Sequence, residues 1–228
     1  MKELKLFDYF DAVKEEYYCI MKRGDIENYT LGSDFDIFCF IIQSFAKKII
    51  SASNTYIQSG CELKINDHDK NHWHVDLLEN NKIIVRFDLY SALPKYKNIN
   101  VKNALFSSII ENRHEEQIFL NDKFTKIYYP SLVDEIIIKY LEYIENYTLR
   151  PDKIKHLNYI IEKLEKDKDN KRFIDKLHYY TALPRDLTLK KKNDLLFLFK
   201  EIIQKIKVTP LNELPQKSIK FIKKKLLN

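Results

Sequence analysis

Glycine is scarce in this sequence. The 228 residues include three glycines, Gly24, Gly32 and Gly60, and no two of them lie close together. Loops of the G-x-G-x-x-G or G-x-x-x-x-G-K-[ST] type use several neighbouring glycines to bring the backbone close to a phosphate. The spacing therefore disfavours classical dinucleotide-binding folds and P-loop kinases. The lack of a G-x-S-x-G motif disfavours typical α/β-hydrolases in the same way.

Cysteines and long apolar runs are also few. Cys19, Cys39 and Cys61 are widely spaced and form no C-x-x-C pair, which excludes a structural zinc finger and disfavours a disulfide framework. The longest apolar run, 37–42, is far shorter than the ~20 residues that cross a bilayer. Acidic residues occupy the N-terminal stretch where a signal peptide would be apolar. We expect a soluble, cytoplasmic protein without a membrane span.

The charge balance is only modestly basic. Lys and Arg number 39, Asp and Glu number 33, and the formal net charge is +6. The tight basic clusters are 190–192 and 223–225, and acidic residues are interleaved through the same half of the chain. This pattern favours solvated helix faces over a nucleic-acid interface. Nucleic acid is therefore not an expected partner.

Hydrophobic periodicity predicts an α+β first half. Asp67, His68 and Asp69 are assigned to a loop, and the polar Glu79-Asn80-Asn81 segment predicts a hairpin connection. The predicted helices of this half are 4–18 and 42–53, and its predicted strands are 18–22, 31–42, 73–78 and 82–90.

After Pro94 the pattern changes from strand to helix. Ser131 followed by Asp134 resembles a capping box, and apolar residues then recur at spacings of three and four. The helices predicted in this part are 132–144, 152–166, 194–207 and 218–227. We therefore predict an α/β core over 1–128 followed by a helical C-terminal region over 129–228.

The segment with the clearest chemical meaning is Gly32-Ser33-Asp34-Phe35-Asp36. Residues two apart on a strand point to the same face, so both carboxylates can converge on a hard cation, which prefers oxygen ligands. Asp88 is the natural third member, because it lies in an otherwise apolar strand where a lone carboxylate is costly. Gly32 permits a positive φ and a close approach of a phosphate, and Ser33 adds a hydroxyl donor.

Each of these residues also has a purely structural interpretation. Asp34 and Asp36 could be turn or capping residues, since Ser-Asp is common in loops. Asp88 and Arg86 share a strand face and could form a salt bridge. Arg86 is otherwise the cation best placed to meet a phosphate.

Together these residues resemble the nucleotidyltransferase superfamily typified by DNA polymerase β. Its pattern is an apolar residue, G-[GS], then D-h-[DE]-h (h, apolar), then a third acid on a later strand. Gly32 and Ser33 match the G-S, Asp34 and Asp36 match the paired acids, and Asp88 matches the third acid. Asp34 follows Ser33 directly, as in the compact G-S-D-x-D versions of the motif.

A narrower resemblance is to uncharacterised nucleotidyltransferase-like proteins encoded with bacterial capsule and lipopolysaccharide genes. It covers roughly residues 19–159 and is carried by short motifs: Val85-Arg-Phe-Asp-Leu-Tyr90, Ile110-Glu-Asn-Arg113, Ile127-Tyr-Tyr-Pro-Ser131 and Tyr140-Leu-Glu-Tyr143. The resemblance implies a mixed β-sheet core with packed helices.

The resemblance also implies a mechanism. Two Mg²⁺ (or Mn²⁺) ions, held by Asp34, Asp36 and Asp88, would promote in-line attack of an acceptor hydroxyl on the α-phosphate of an NTP. The ion at Asp88 would lower the pKa of that hydroxyl, with Asp88 as its base. Gly32 and Ser33 would hold the β- and γ-phosphates, and pyrophosphate would leave.

His72, His74 and Asp76 alternate along one predicted strand and share a face. Three interpretations stay open for this face: a transition-metal triad, substrate contact through His72 and His74 next to Asp88, and a solvated polar surface.

The expected function is Mg²⁺-dependent transfer of a nucleoside monophosphate from an NTP to a small acceptor in surface-polysaccharide biosynthesis. The alternatives are a toxin-type or RNA- or protein-modifying nucleotidyltransferase and a non-catalytic nucleotide-binding domain. The sequence does not identify the NTP, the acceptor or the oligomeric state.

Overall fold

The computed structural model describes residues 4–21, 26, 29–96, 99–146, 154–166 and 170–183. Within these ranges the helices are α1 (Leu6–Val13), α2 (Ile42–Ile57), α3 (Ala104–Glu111), α4 (Leu132–Asn146), α5 (Ile154–Lys166) and α6 (Asn170–Thr181). The strands are β1 (Tyr18–Ile20), β2 (Asp34–Cys39), β3 (Glu62–Asp69), β4 (His72–Glu79), β5 (Lys82–Tyr90), β6 (His114–Leu120) and β7 (Lys123–Tyr129).

Five of the strands form a mixed sheet in the order β1-β2-β5-β4-β3. Strands β2 and β5 are parallel, and the other neighbouring pairs are antiparallel. The expectation of an α+β fold with a mixed sheet and packed helices is therefore confirmed. In the parallel pair Asp36 lies opposite Asp88, so the topology places the two predicted acidic segments side by side.

The sheet has one apolar face, which α1 and α2 cover. Alternate residues of the central strands, such as Ile37 and Val85, are fully buried there. The ring of Tyr9 on α1 lies 5.0 Å from that of Phe87. Helix α2 contacts β3, β4 and β5 on this side. Because side chains alternate along a strand, burying this face leaves the intervening polar residues on the other one.

The opposite face is polar at its centre and apolar at one end. Phe38, at the end of β2, packs against Phe106 of α3 with ring centroids 5.3 Å apart. Phe38 also lies 5.9 Å from the ring of Tyr90. Helix α3 therefore closes one side of a region in which the polar side chains of β2, β5 and β4 lie together.

Three strands, β3, β6 and β7, differ from the sequence prediction. Asp67, His68 and Asp69 belong to β3 rather than to a loop. The segment after Pro94 is not wholly helical, because β6 and β7 form an antiparallel hairpin that contacts α1 and β1. Most side chains of β3 and β6 are exposed, and the alternately buried residues of β7 begin with the polar Thr125, so these sequences lack the apolar alternation from which strands are predicted.

The predicted start of α4 is confirmed. The Ser131 hydroxyl accepts the backbone N–H of Asp134 at 3.3 Å and donates to the Asp134 carboxylate at 2.6 Å. Helix α5 also matches its predicted segment, whereas α6 was not predicted. None of the described helices is long and apolar enough to span a bilayer.

The predicted helices 194–207 and 218–227 lie outside the described residues. The boundary between a core over 1–128 and a helical region over 129–228 stays a prediction.

Candidate metal centre on the polar face of the sheet

Three aspartates meet where β2 runs beside β5. Asp34 and Asp36 lie on the same face of β2, and Asp36 is the direct partner of Asp88 across the parallel ladder. Each of the three offers a carboxylate oxygen, and these oxygens all lie within 4.8 Å of one another. The structure thus brings together the acids that the sequence predicted to converge.

The three acids differ in burial. Asp34 is exposed, Asp36 is half-buried, and Asp88 is buried with 8% of its surface accessible. Burial raises the pKa of Asp88, and the negative charge of Asp34 adds to the rise, whereas His72 and Arg86 oppose it. A buried carboxylate beside further carboxylates is stabilised by a cation. The cluster is therefore best suited electrostatically to a positive ion, and its all-oxygen ligand set matches a hard ion such as Mg²⁺.

The backbone conformation of the turn before β2 requires a glycine at position 32. Gly32 has a φ of +87°, and Ser33 N–H donates to Thr30 O at 3.0 Å. Gly32 is thus the third residue of a four-residue turn, a position where the type II turn requires a positive φ. A Cβ at Gly32 would also lie 3.3 Å from the carbonyl oxygen of Ile83.

The backbone N–H groups of this turn already donate within the protein. Gly32 N–H donates to Ile84 O at 3.0 Å, and Ser33 N–H donates to Thr30 O. The Ser33 hydroxyl pairs with that of Thr30 at 2.8 Å in an exposed position. The expected role of Gly32 and Ser33 in binding phosphates stays a prediction, and it depends on the Ser33 hydroxyl more than on these two N–H groups.

Arg86 is paired with Asp76. Arg86 Nε donates to Asp76 Oδ1 at 2.7 Å, and one terminal nitrogen donates to Asp76 Oδ2 at 2.8 Å. The salt bridge considered for Arg86 therefore runs across the ladder to β4 and not along β5 to Asp88. Hydrogen bonding to Asp76 raises the pKa of Arg86, which keeps the guanidinium charged beside the acidic cluster. Its predicted contact with a nucleotide stays a prediction.

The histidines of β4 lie against Asp88. His74 is its direct partner in the antiparallel ladder, and His74 Nε2 lies 2.5 Å from Asp88 Oδ1. His72 Nε2 lies 3.6 Å from the same oxygen, and the His72 ring stacks on Tyr90 with centroids 4.3 Å apart. The proximity of His72 and His74 to Asp88 is thus observed. Their contact with a substrate stays a prediction.

The transition-metal triad considered from the sequence was His72, His74 and Asp76, and the structure replaces one of these three residues. Asp76 shares the face of His72 and His74, but its carboxylate is occupied by Arg86. Asp88 takes its place, since one oxygen of Asp88 and one nitrogen of each histidine lie within 4.8 Å of one another. The alternation of residues along β4 identified the two histidines. The choice between the acids depends on the β4–β5 register.

His68 is the third histidine of this group. The sequence predicted a loop at His68 and gave no sign that it lies beside His74. Its Nε2 lies 2.8 Å from His74 Nδ1, at the irregular end of β3. Burial, together with the positive charge of Arg86, lowers the pKa of His74 to about 4, so the His74 imidazole is neutral at pH 7. A pair of histidines on adjacent strands was not visible because β3 itself was not predicted.

The chain matches no protein-family model, no curated protein and no solved structure. The geometry of the polar face and the motif resemblance are therefore the observations that bear on its function.

Proposed function

We propose that the chain is a divalent-metal-dependent nucleotidyltransferase that transfers a nucleoside monophosphate from an NTP to a small acceptor. The observation that carries this proposal is the convergence of Asp34, Asp36 and Asp88, whose carboxylate oxygens lie within 4.8 Å of one another. The sequence resemblance assigns the three metal-binding carboxylates of the superfamily to these same positions.

The arrangement supports metal-assisted chemistry more than a general acid–base pair. In an acid–base pair the two carboxyl groups take different roles, and their environments separate their pKa values. Here three carboxylates approach one another closely, which is unfavourable unless a cation lies among them. Mg²⁺ or Mn²⁺ at this position would neutralise charge on the α-phosphate and lower the pKa of the attacking hydroxyl.

The reaction balances without a further reactant. The acceptor hydroxyl would give its proton to Asp88, its oxygen would form a bond to the α-phosphorus, the bond from that phosphorus to the β-phosphate oxygen would break, and pyrophosphate would leave. Asp34, Asp36 and Asp88 would hold the metal. Arg86, charged and fixed by Asp76, would add positive charge beside Asp88.

For the acceptor we propose a small molecule of surface-polysaccharide assembly. The support is the resemblance to nucleotidyltransferase-like proteins of capsule and lipopolysaccharide gene clusters and the modest net charge of +6. A protein or RNA acceptor is the competing reading. The sugar phosphates, polyols and RNA supplied in the assay below distinguish a small acceptor from an RNA acceptor.

The decisive experiment compares wild type with Asp36→Asn, which keeps the size of the side chain and removes one negative charge. Each NTP is supplied with Mg²⁺ or Mn²⁺, and both pyrophosphate release and the melting temperature are measured with sugar phosphates, polyols or RNA as acceptor. We expect wild type to melt higher with metal plus NTP, by mass action, and to release pyrophosphate. Asp36→Asn should lose the melting shift and at least ~100-fold of the activity.

Asp122→Asn is the matched control, because Asp122 is an exposed aspartate in the β6–β7 turn, outside the cluster. It should behave like wild type in both measurements. Without metal, Asp36→Asn should be at least as stable as wild type, since one repulsion has been removed. A wild-type protein whose melting temperature responds to none of the metal–NTP pairs contradicts the proposal.

A further inference from the structure

A second group of metal-ligating side chains adjoins the three aspartates. His68, His72 and His74 are three of the six histidines in the chain, and their rings lie together. The centroid distances are 4.1 Å from His68 to His74, 4.7 Å from His72 to His74 and 4.8 Å from His68 to His72. Three imidazoles from two adjacent strands thus lie together, and two of them, His72 and His74, approach the buried side chain of Asp88.

Two polar atoms at the centre of this group are buried without a hydrogen bond. Within the described part of the chain, neither Asp88 Oδ1 nor His72 Nε2 makes a hydrogen bond of good geometry, and the two atoms lie 3.6 Å apart. The approach of His74 Nε2 to Asp88 Oδ1 is short, at 2.5 Å, but it lacks hydrogen-bond geometry. Buried polar atoms without partners are costly and uncommon in folded proteins. An ion held between these atoms would satisfy all of them.

The donor types indicate which ion. Two imidazole nitrogens and one carboxylate oxygen form a borderline ligand set of the kind that binds zinc and its neighbours. The set formed by Asp34, Asp36 and Asp88 consists of oxygen alone and suits Mg²⁺. The polar face therefore offers two chemically different cation positions that have Asp88 in common.

We propose that His72, His74 and Asp88 bind a first-row transition-metal ion such as Zn²⁺, through Nε2 of each histidine and one oxygen of Asp88. His68 is a positioning residue in this site. Its Nε2 lies 2.8 Å from His74 Nδ1, so it accepts the Nδ1–H of a metal-bound His74 and directs Nε2 of His74 toward Asp88. Three protein ligands leave a fourth position for water or substrate.

The site needs only a small adjustment to accept the ion. Metal–ligand bonds of about 2.0–2.1 Å in a tetrahedral arrangement place neighbouring ligand atoms roughly 3.3 Å apart. His72 Nε2, at 3.6 Å from Asp88 Oδ1, is already near this spacing. His74 Nε2, at 2.5 Å, must move away by less than 1 Å, which a half-buried side chain can do by rotating its ring.

The test uses Co²⁺ as a spectroscopic substitute for Zn²⁺ and requires no nucleotide. Protein freed of metal by a chelator is titrated with Co²⁺, and visible absorption distinguishes a four- or five-coordinate site with nitrogen ligands from six-coordinate Co²⁺ with oxygen ligands. Zn²⁺ is then added to displace the Co²⁺. We expect wild type to bind one such Co²⁺ ion and to release it to Zn²⁺.

The variants separate this site from its neighbour. His72→Gln and His74→Gln should each weaken Co²⁺ binding at least 100-fold, and His68→Gln about 10–100-fold, as for the loss of a hydrogen-bond partner of a ligand. His114→Gln is the control, because His114 is exposed on β6 and should bind as wild type does. Circular dichroism shows whether each variant is folded. Of the two histidines proposed as ligands, His72 is the more exposed, at 27% against 16% for His74, so His72→Gln provides the main comparison.

Asp36→Asn tells the two metal positions apart. It should keep the Co²⁺ spectrum while losing the response to Mg²⁺ and NTP, because Asp36 belongs only to the oxygen set. If folded His72→Gln binds Co²⁺ as wild type does, or if Asp36→Asn loses the spectrum, the histidine site is refuted. Since no NTP is involved, absence of pyrophosphate release would refute the proposed function without affecting this result.

Discussion

At the scale of single residues, the ion pair between Arg86 and Asp76 is the strongest charged contact of the polar face. The Asp76 side chain is only 3% exposed, and Arg86 approaches both of its oxygens. Arg86→Gln should therefore cost about 3–5 kcal/mol in the free energy of unfolding, because it leaves a buried carboxylate without its cation. Urea denaturation measures this cost.

The control for Arg86 is an exposed ion pair. Lys126 and Glu115 are about half-exposed on the β6–β7 hairpin, so Lys126→Gln should have little effect on the free energy of unfolding. The double variant Asp76→Asn with Arg86→Gln should recover much of the loss, since no unpaired charge is then left. A cost for Arg86→Gln as small as that of Lys126→Gln would show that Asp76 is not held by this pair.

Gly32 and Gly60 provide a matched test of the turn before β2. Both have positive φ, +87° and +99°, but only at Gly32 would a Cβ meet another atom, the carbonyl oxygen of Ile83 at 3.3 Å. Alanine at either position should cost about 1–2 kcal/mol from the backbone conformation. Gly32→Ala should cost more than Gly60→Ala, as measured by urea denaturation. Equal costs would mean that the turn moves freely away from Ile83.

The sequence sufficed to predict the three aspartates and the position of His72 and His74 near Asp88, but not the partners of Arg86 and His74. Asp34, Asp36 and Asp88 stand out because they interrupt apolar strands, and a period of two fixes their common face. The partners of Arg86 and His74 depend on which residues lie opposite across the ladder. That register is set by bulges and by tertiary packing, and local sequence does not encode it.

At the scale of elements, the contact between α4 and α6 depends on a buried charge. Asp134 is fully buried near the start of α4, and Lys176 of α6 places its Nζ 2.6 Å from Asp134 Oδ1. Lys176→Met removes the cation and leaves a buried carboxylate without its countercharge, which costs about 3–5 kcal/mol. Amide hydrogen exchange across Asn170–Thr181 should therefore be at least ~100-fold faster than in wild type.

Lys171→Met, at an exposed position of the same helix, is the control for this measurement. It should leave the exchange of α6 near the wild-type rate. If the amide hydrogens of α6 exchange as slowly in Lys176→Met as in wild type, the ion pair with Asp134 does not hold α6 in place.

The helices and strands that bury an apolar face were easier to predict from the sequence than those that do not. Helix α4 was predicted because Ser131 and Asp134 form a cap and because its apolar residues recur with helical spacing. Strands β3 and β6 were missed because each is largely exposed, and β7 was missed because its alternately buried residues begin with the polar Thr125 and have Tyr128 between them. A hairpin is then held by main-chain pairing and turn residues, such as Asn121 and Asp122 with their positive φ, and hydrophobic patterns do not report these.

At the scale of the whole molecule, the free thiols make folding sensitive to alkaline pH. Cys19 and Cys39 are buried, at 0% and 2% exposure, and burial raises the pKa of each thiol to about 12. Unfolded thiols ionise from about pH 8.5. Because the unfolded state releases protons that the folded state retains, stability is complete below that pH and falls as the pH rises toward 12.

The expected loss is about 1.4 kcal/mol per pH unit for each thiol once the unfolded cysteines are ionised. Urea denaturation between pH 8 and 10, below the ordinary pKa of tyrosine, should show a shallower decline for Cys19→Ala with Cys39→Ala than for wild type. The comparison uses slopes against pH, so the cavities left by alanine do not affect it. Cys61→Ala is the control: Cys61 is less buried than the other two, and its removal should change the slope less. Parallel slopes for wild type and the double variant would show that these thiols titrate alike in the folded and unfolded states.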